Sequence, residues 1–227
     1  RVLKINMPNA GKEKIAWGQD FETLTERIKE TIDSVEGISR RILVCHDWGC
    51  IYGYLVDQVL LVLTQNCPKV FEQIIAMDIP AYTQLVGLKA NLITVAYQLT
   101  LMIAFLLSRF VKQSIGDAIT RFVAKVFGYN PPYEISADRN YPYFYFWKQM
   151  LGSLILRKRK LLSGYIPSVP VVYMYATKKS YQFHGPKWLN FLRETEGCEI
   201  HPIDDGHWFM KKFKNFVADV IKRRIES

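Results

Sequence analysis

Apolar residues along the chain fall into two patterns: short runs rich in valine and isoleucine, and longer stretches that repeat every three or four positions. The short runs predict strands at 2–5, 41–45, 73–77, 169–175 and 199–203. Helical repeats separate most of these runs, and such alternation is typical of a mostly parallel sheet flanked by helices. The pattern therefore predicts an α/β fold.

Three of the helical stretches are informative. Between residues 20 and 35 the apolar positions fall on one helical face, and Gly37 is placed to end that helix. From 213 to 225 the same spacing predicts an amphipathic C-terminal helix whose other face is basic and solvated. The apolar stretch 92–107 is shorter than the ~20 residues of a membrane-crossing helix, which favours a buried or interface-lying helix.

The alternation of strands and helices stops between residues 81 and 165, where helical patterns and aromatic clusters dominate. This interruption predicts three segments: a first part of the α/β core at 1–80, an inserted helical lid at 81–165, and the rest of the core at 166–227. The chain opens at Arg1 directly in a strand-like run, so we expect earlier residues to precede it.

Charge and cysteine content limit the kinds of binding partner and the cellular compartment that we expect for this protein. The net charge of +9 favours anionic neighbours such as lipid headgroups, at a peripheral membrane contact, or an acidic protein partner. The basic run 157–160 is expected to be a solvated patch, and without a recognised nucleic-acid module we expect no nucleic acid partner. The four cysteines form neither a CxxC pair nor a dense framework, and no signal peptide is visible. These features predict an intracellular protein, cytoplasmic or mitochondrial and not secreted, without a zinc site or disulfide scaffold.

The strongest candidate for chemistry is the segment 41–53, in which a buried strand runs directly into a helix. Asp47 lies at this turn between the small residues Cys45 and Gly49, and such a turn holds its central side chain above the sheet. An aspartate there can attack a carbon centre and form an ester, with the backbone N–H of Trp48 as an oxyanion donor. The alternative is that Asp47 only caps the helix.

A histidine near the C-terminus favours the catalytic interpretation. His207 follows Gly206 in a polar loop between the last predicted strand and the last predicted helix, from which a general base can reach the turn at Asp47. The other histidines are His46, His184 and His201. They lack such a context, and we interpret them as structural.

These segments resemble the α/β-hydrolase superfamily, and most of all its epoxide hydrolase and haloalkane dehalogenase branch. The sequence His-Asp-Trp-Gly at 46–49 is similar to that branch's nucleophile motif, and Gly-His-Trp at 206–208 to its histidine loop. Residues 7–11 resemble a degraded Pro-Asp-x-x-Gly turn. The resemblance implies that Asp47 forms an ester with a small apolar electrophile and that His207 activates water against it, with no cofactor and no metal.

The chain departs from this family pattern in three places. Cys45 replaces the usual glycine, and 176–180 contains no carboxylate where the histidine's acid partner usually lies. In some members of the branch the acid follows the strand after the nucleophile helix, and here that position is Asp78; the alternative is that Asp78 only turns the chain before Pro80. By the same resemblance, the first strands and a His-Gly-x-Pro oxyanion loop would precede Arg1.

The aromatic segment 140–147 lies near the place where epoxide hydrolases carry a lid tyrosine. The resemblance implies that Tyr141 or Tyr143 donates to the substrate oxygen, with Tyr97 as a weaker candidate. The alternative is an aromatic core stripe in the lid.

Two other functions stay open because of the departures from the family pattern. The first is a catalytically inactive scaffold, a pseudoenzyme subunit of a larger mitochondrial or membrane-associated assembly. The second is a module that binds a small ligand without turnover.

Overall fold

The chain divides into two compact units by its backbone contacts. Unit 1 comprises Arg1–Ser34 and Asn91–Ser163, and unit 2 comprises Val35–Ala90 and Gly164–Ser227. A computed structural model describes residues 2–10, 14–38, 40–63, 71–82, 87–129, 134–155, 161–162, 164–179 and 182–226.

Unit 2 is built on a parallel sheet with the strand order β1-β2-β3-β4. The strands are β1 (Ile42–His46), β2 (Gln73–Met77), β3 (Val171–Ala176) and β4 (Glu199–Ile203). β2 is buried along its whole length, whereas Val44 on the outer strand β1 is 41% exposed. The predicted parallel sheet is confirmed, and its inner strands are the continuous apolar runs expected of strands covered on both faces.

Helices cover both faces of this sheet. They are α2 (Trp48–Leu63), α6 (Pro186–Glu194) and α7 (Lys214–Glu226). On one face, Met174 of β3 and Val220 of α7 belong to the same buried cluster. On the other face, Trp188 of α6 packs against Tyr173 of β3 at 5.8 Å between ring centres and against Tyr54 of α2 at 6.3 Å. Unit 2 is therefore a layered α/β/α arrangement.

A buried carboxylate joins α2 to the segment that leads into β3. Asp57 is 3% exposed and accepts hydrogen bonds from the Tyr165 hydroxyl at 2.6 Å and the Ser168 N–H at 2.9 Å. The Ser168 hydroxyl also donates to it. Because an ionised group is costly to bury without such partners, these bonds fix the position of the segment against the helix.

The described elements of unit 1 are helical. They are α1 (Phe21–Asp33), most of α3 (Leu88–Phe110), α4 (Gln113–Val126), a short 3-10 turn (Ala137–Asn140) and α5 (Tyr141–Ile155). The carboxylate of Asp20 caps α1 by accepting from the Thr23 N–H at 2.8 Å, and the predicted apolar face of α1 is buried. Trp17 packs against Phe105 at 5.8 Å and Phe144 at 5.8 Å, so aromatic rings form much of this interior.

One sequence prediction about unit 1 is wrong, and the apolar stretch 92–107 is part of a longer helix. Residues 2–5 form no strand in the described structure, and Val2 is 92% exposed. A short apolar run makes a strand only where a sheet edge is present to pair with it. The apolar stretch 92–107 lies within α3, which spans 23 residues and contains an 18-residue window with a mean hydropathy of 1.8. By length and composition α3 could cross a membrane; 22% of its most apolar window is buried within the structure. Lys89 and Arg109 lie outside the apolar run but are also helical, so the helix is longer than the run indicated.

The lid boundaries at 81–165 remain a prediction. Their residues 91–163 lie in unit 1 together with the N-terminal segment and α1. The basic run 157–160 lies outside the described residues.

Candidate active site

A single residue, Asp47, connects β1 to α2. Its φ of 53° lies in the left-handed region, which costs free energy for any residue other than glycine. Backbone bonds hold the turn: the Asp47 N–H donates to the Met77 carbonyl at 3.3 Å, and the Asp47 carbonyl accepts from the Cys50 N–H at 2.9 Å. The side chain is 29% exposed. The predicted strained turn is therefore present, with the carboxylate accessible.

Near this turn, Gly53 has less room for a side chain than Gly49, the glycine that the sequence interpretation singled out. A Cβ added to Gly49 would meet only the Cβ of Cys45, at an ordinary 3.8 Å. A Cβ added to Gly53, one turn further along α2, would lie 2.8 Å from the side chain of Leu43. A side chain at Gly53 would therefore require the end of the Leu43 side chain to shift, whereas Cys45 leaves ordinary room beside Gly49.

Asp78 forms the equivalent turn after β2. Its φ is 73°, its side chain is fully buried, and its N–H donates to the Met174 carbonyl at 2.7 Å. The carboxylate Oδ1 accepts from the Ala176 N–H at 3.0 Å, at the end of the neighbouring strand. The carboxylate therefore bonds to residues remote in the chain, which disfavours the alternative of a local turn residue.

His207 lies between the two carboxylates. Its Nδ1 is 2.5 Å from Asp78 Oδ2, and its Nε2 is 3.8 Å from Asp47 Oδ2. The His207 carbonyl is 3.0 Å from Nε2 of His46, whose ring lies 4.4 Å from the His207 ring. The structure thus brings Asp47, Asp78 and His207 together at the carboxyl ends of the strands. Among the described residues there is no cluster of three or more side chains suited to a metal ion.

The carboxylates determine the protonation of His207. Burial alone would lower the pKa of the imidazole, but Asp47 and Asp78 outweigh burial and raise the pKa to about 9. In return, and against the effect of burial, His207 lowers the pKa of both carboxyl groups. The pKa of His46 changes in the opposite direction from that of His207, because burial and the neighbouring His207 lower it to about 4. In neutral solution His207 is therefore a cation and His46 is not.

Lys179 is a further member of this group that the sequence interpretation missed. Its Nζ lies 2.7 Å from Asp78 Oδ2, and its side chain is only 13% exposed. It stands in the segment 176–180, which departs from the family pattern because it lacks a carboxylate. A lysine in a loop after a strand is usually solvated, so only that departure could have directed attention to it.

Of the other predicted residues, Trp48 belongs to unit 2 and the three tyrosines belong to unit 1. Trp48 is the first residue of α2, so its N–H belongs to the first helical turn. Tyr141 is 2% exposed and Tyr143 packs against Tyr97 at 6.1 Å; all three belong to unit 1, and their roles towards a substrate stay predictions.

The two remaining histidines have partners of their own. Nδ1 of His184 lies 3.0 Å from the Tyr173 hydroxyl, and Nε2 of His201 lies 3.0 Å from Glu199 Oε2. Both contacts agree with a structural interpretation.

Comparison with known proteins bears on the fold. No family model and no curated protein matches the chain. Among solved structures, a Bacillus megaterium epoxide hydrolase bound to an inhibitor is similar with a TM-score of 0.62 and 16% identity, over 95% of this chain and 79% of that one. A thermophilic esterase from Thermogutta terrifontis has a TM-score of 0.63 and 10% identity, over 97% and 78%. A marine microorganism esterase has a TM-score of 0.56 and 13% identity, over 96% and 82%. With its parallel sheet, flanking helices and sharp turn at Asp47, the chain has the α/β-hydrolase fold.

Proposed function

We propose that this protein is a hydrolase in which Asp47 attacks a small apolar electrophile and His207 then activates water to cleave the resulting ester. The observation that carries the proposal is the position of His207, 2.5 Å from the buried Asp78 and 3.8 Å from Asp47 on its strained turn. A base held in one orientation by a carboxylate, beside a partly exposed nucleophile, is the arrangement that covalent hydrolysis needs.

An epoxide is the substrate class that fits this chemistry best. An oxygen of Asp47 bonds to one ring carbon, the carbon–oxygen bond of the ring breaks, and the alkoxide takes a proton from water. A second water then adds to the ester carbonyl of Asp47 while His207 accepts its proton. When the tetrahedral intermediate collapses, the leaving alkoxide takes that proton back from His207 and departs as a diol, and the Asp47 carboxyl group loses its proton to solvent and is again a carboxylate. The similarity in fold to a structure described as an epoxide hydrolase supports this choice. Haloalkanes and esters are the neighbouring classes to test.

The charge of Asp47 makes His207 suited to both stages. While Asp47 is ionised, it helps to raise the pKa of His207, and the imidazole keeps its proton. Ester formation removes the negative charge of Asp47, and with it one of the two causes of the raised pKa. The pKa of His207 then falls, so His207 becomes a base at the stage when water must be activated.

The test is to trap the ester. In His207→Gln the ester should form and persist, so that incubation with a panel of aryl epoxides, haloalkanes and esters adds the mass of the bound group to the intact protein. Peptide mapping should place the added mass on Asp47. In wild-type protein, a single turnover in heavy-oxygen water should introduce label into the Asp47 carboxylate. Asp204→Asn is a matched control, because Asp204 lies in the same loop with its side chain 77% exposed.

Two results would contradict the proposal. One is diol formation at the wild-type rate in Asp47→Ala; the other is a covalent adduct on a residue other than Asp47. If neither adduct nor turnover occurs across the panel, the alternative of an inactive scaffold subunit gains support. Tight binding of a panel compound without product would favour a ligand-binding module.

A further inference from the structure

Lys179 shares one carboxylate oxygen with His207. Oδ2 of Asp78 is 2.7 Å from Nζ of Lys179 and 2.5 Å from Nδ1 of His207. The lysine comes three residues after β3, and its Nζ also lies 4.9 Å from the ring centre of Phe183. A lysine only 13% exposed that is bonded to a fully buried carboxylate is part of the interior of unit 2 rather than its surface.

The charges facing His207 come from several elements. The carboxylates are Asp47 before α2 and Asp78 after β2, and the cation is Lys179 after β3. His46 of β1 contacts the His207 ring, and His184 lies near Lys179. Burial lowers the pKa of both His46 and His184 to about 4, so neither adds a charge in neutral solution. Two carboxylates therefore face two cations.

We propose that Lys179 is a positioning residue: by taking part of the negative charge of Asp78 Oδ2, it limits how strongly that carboxylate holds the proton of His207. Two cations at one oxygen compete for it, and each also repels the other. Without Lys179, His207 would face two carboxylates with no second cation and would retain its proton to higher pH. The inference rests on the proposed role of His207 as the base.

The test is a titration of His207 by nitrogen-15 NMR of its imidazole, which requires no substrate. In Lys179→Met we expect the midpoint of His207 to rise by about one pH unit, the effect of removing one charge a few ångströms away. Lys179→Arg keeps the charge and should return the midpoint to within a few tenths of wild type. Lys178→Met is the matched control, since that neighbouring lysine has a side chain 59% exposed and pairs with Asp204.

Lys179→Gln is a second variant in case the methionine variant does not fold, because an amide can still donate to Asp78 without carrying charge. A midpoint of His207 that stays at its wild-type value in the folded Met or Gln variant would overturn the inference, as would an equal shift in Lys178→Met. Because the measurement is on the free protein, it can succeed or fail whether or not Asp47 forms an ester.

A second, independent observation concerns the surface of unit 1. Apolar residues recur along α3 and α4 with helical spacing on sides that no described residue covers. They include Leu92 (61% exposed), Ile103 (48%) and Phe110 (73%) on α3, then Val111 (64%), Phe122 (67%) and Val126 (62%). We call these six residues the α3–α4 apolar face. Exposed apolar residues in such continuous series are uncommon on monomeric soluble proteins and mark sites of interaction.

The opposite sides of the two helices are already packed together. Phe105 is fully buried, and a Cβ added to Gly116 of α4 would lie 2.4 Å from the Ala104 carbonyl oxygen of α3. The α3–α4 apolar face is therefore additional to the interior of unit 1, and its exposure does not come from loose packing of the helices.

The charged residues near this face indicate what kind of partner binds to it. Lys112, Arg121 and Lys125 are exposed around α4. The acidic residue between 88 and 128 is Asp117, whose carboxylate accepts from the Gln113 amide and the Ala137 N–H. An apolar face whose own segment, 88–128, carries exposed cations and no exposed carboxylate matches an anionic lipid surface. A second copy of the same face would bring like charges together, which disfavours a symmetric dimer.

We infer that the α3–α4 apolar face binds to the surface of anionic membranes. Flotation with vesicles of phosphatidylcholine, alone or mixed with phosphatidylserine, tests this with the full chain. Wild type should float only with the mixed vesicles, and Phe122→Ser/Val126→Ser should reduce binding. Arg121→Glu/Lys125→Glu should reduce binding at least about tenfold, since each surface cation contributes about 1 kcal/mol.

Lys214→Glu/Arg223→Glu is the matched control, because it makes the same change in charge at exposed positions of α7. Equal loss of binding in this control would overturn the inference in favour of a general effect of net charge. Absence of flotation would also overturn it, as would a wild-type dimer in light scattering that Phe122→Ser/Val126→Ser converts to a monomer.

Discussion

The two units stabilise their interiors by different means. Unit 2 buries charged side chains at the ends of its strands, where Asp78 is fully buried between Lys179 and His207. The interior of unit 1 depends on aromatic rings, with Trp17 packed against Phe105 and Phe144.

Because of this difference, the stability of the two interiors depends on different conditions. Ion pairs in a buried site depend on pH and on the presence of every partner, because removal of one leaves an uncompensated charge. Aromatic packing depends on shape and hardly on pH. The charge of the interior of unit 2 can thus change with pH, whereas the interior of unit 1 depends on how well its rings fit together.

The largest expected effect comes from removing the central carboxylate of unit 2. Asp78→Ala leaves Lys179 and His207 without their shared partner, and we expect the free energy of unfolding to fall by about 3–5 kcal/mol. Urea unfolding followed by circular dichroism measures this. Asp204→Ala, which removes an exposed carboxylate, should cost less than about 0.5 kcal/mol. Equal losses in the two variants would mean that burial of the charge group contributes nothing.

The next effect is the dependence of stability on pH. The pKa of His207 is raised from 6.5 to about 9 in the folded protein, so its stabilising contribution is complete below about pH 6.5 and is lost as the pH rises through 9. We expect a loss on the order of 2–3 kcal/mol across this range. Urea unfolding at successive pH values measures it. His207→Gln should remove most of the slope, and an unchanged slope in that variant would assign it to other groups.

A smaller effect, specific to shape, is expected in unit 1. Gly18 and Gly37 both have positive φ, of 61° and 70°, so an added Cβ strains the backbone at either site. At Gly18 it would also lie 2.2 Å from the Tyr141 ring, whereas at Gly37 it would meet nothing within 4 Å. Gly18→Ala should therefore destabilise the protein by about 1–3 kcal/mol more than Gly37→Ala, in thermal or urea unfolding. Equal effects would show that the ring moves aside freely.

The smallest effect is expected on the exterior of unit 1. Phe122 is 67% exposed, so Phe122→Ser should change the free energy of unfolding by less than about 0.5 kcal/mol. Urea unfolding of the two proteins side by side is sufficient to measure it. A cost above 2 kcal/mol would mean that this ring belongs to the packed interior, and would remove it from the α3–α4 apolar face.

The sequence allowed the architecture of unit 2 to be predicted because its signals are local. Buried strands such as 73–77 read as continuous apolar runs, and the turn at Asp47 is recognisable from the strand and helix on either side of it. The partnership of Asp78 with His207 was also anticipated, but from the resemblance to hydrolases in which the acid follows the strand after the nucleophile helix rather than from the local pattern.

The features that could not be predicted from the sequence depend on contacts between residues far apart in the chain. Lys179 lies 101 positions from Asp78, and apart from the missing carboxylate at 176–180 nothing near it distinguishes it from a surface lysine. The run at 2–5 has the pattern of a strand, but a strand also needs an edge to pair with, which a local pattern does not encode. The extent of α3 was underestimated because lysine and arginine propagate a helix well beyond its apolar stretch.

The bond between Asp57 and Tyr165 also constrains the order in which the protein can assemble during synthesis. The two residues are separated by 108 positions, so the helix that follows Asp47 leaves the ribosome well before the hydroxyl that satisfies its buried carboxylate exists. Until translation passes Ser168, Asp57 must stay hydrated, and α2 cannot pack fully against the sheet. The packing of α2 is therefore completed late, after all of residues 91–163 have been made.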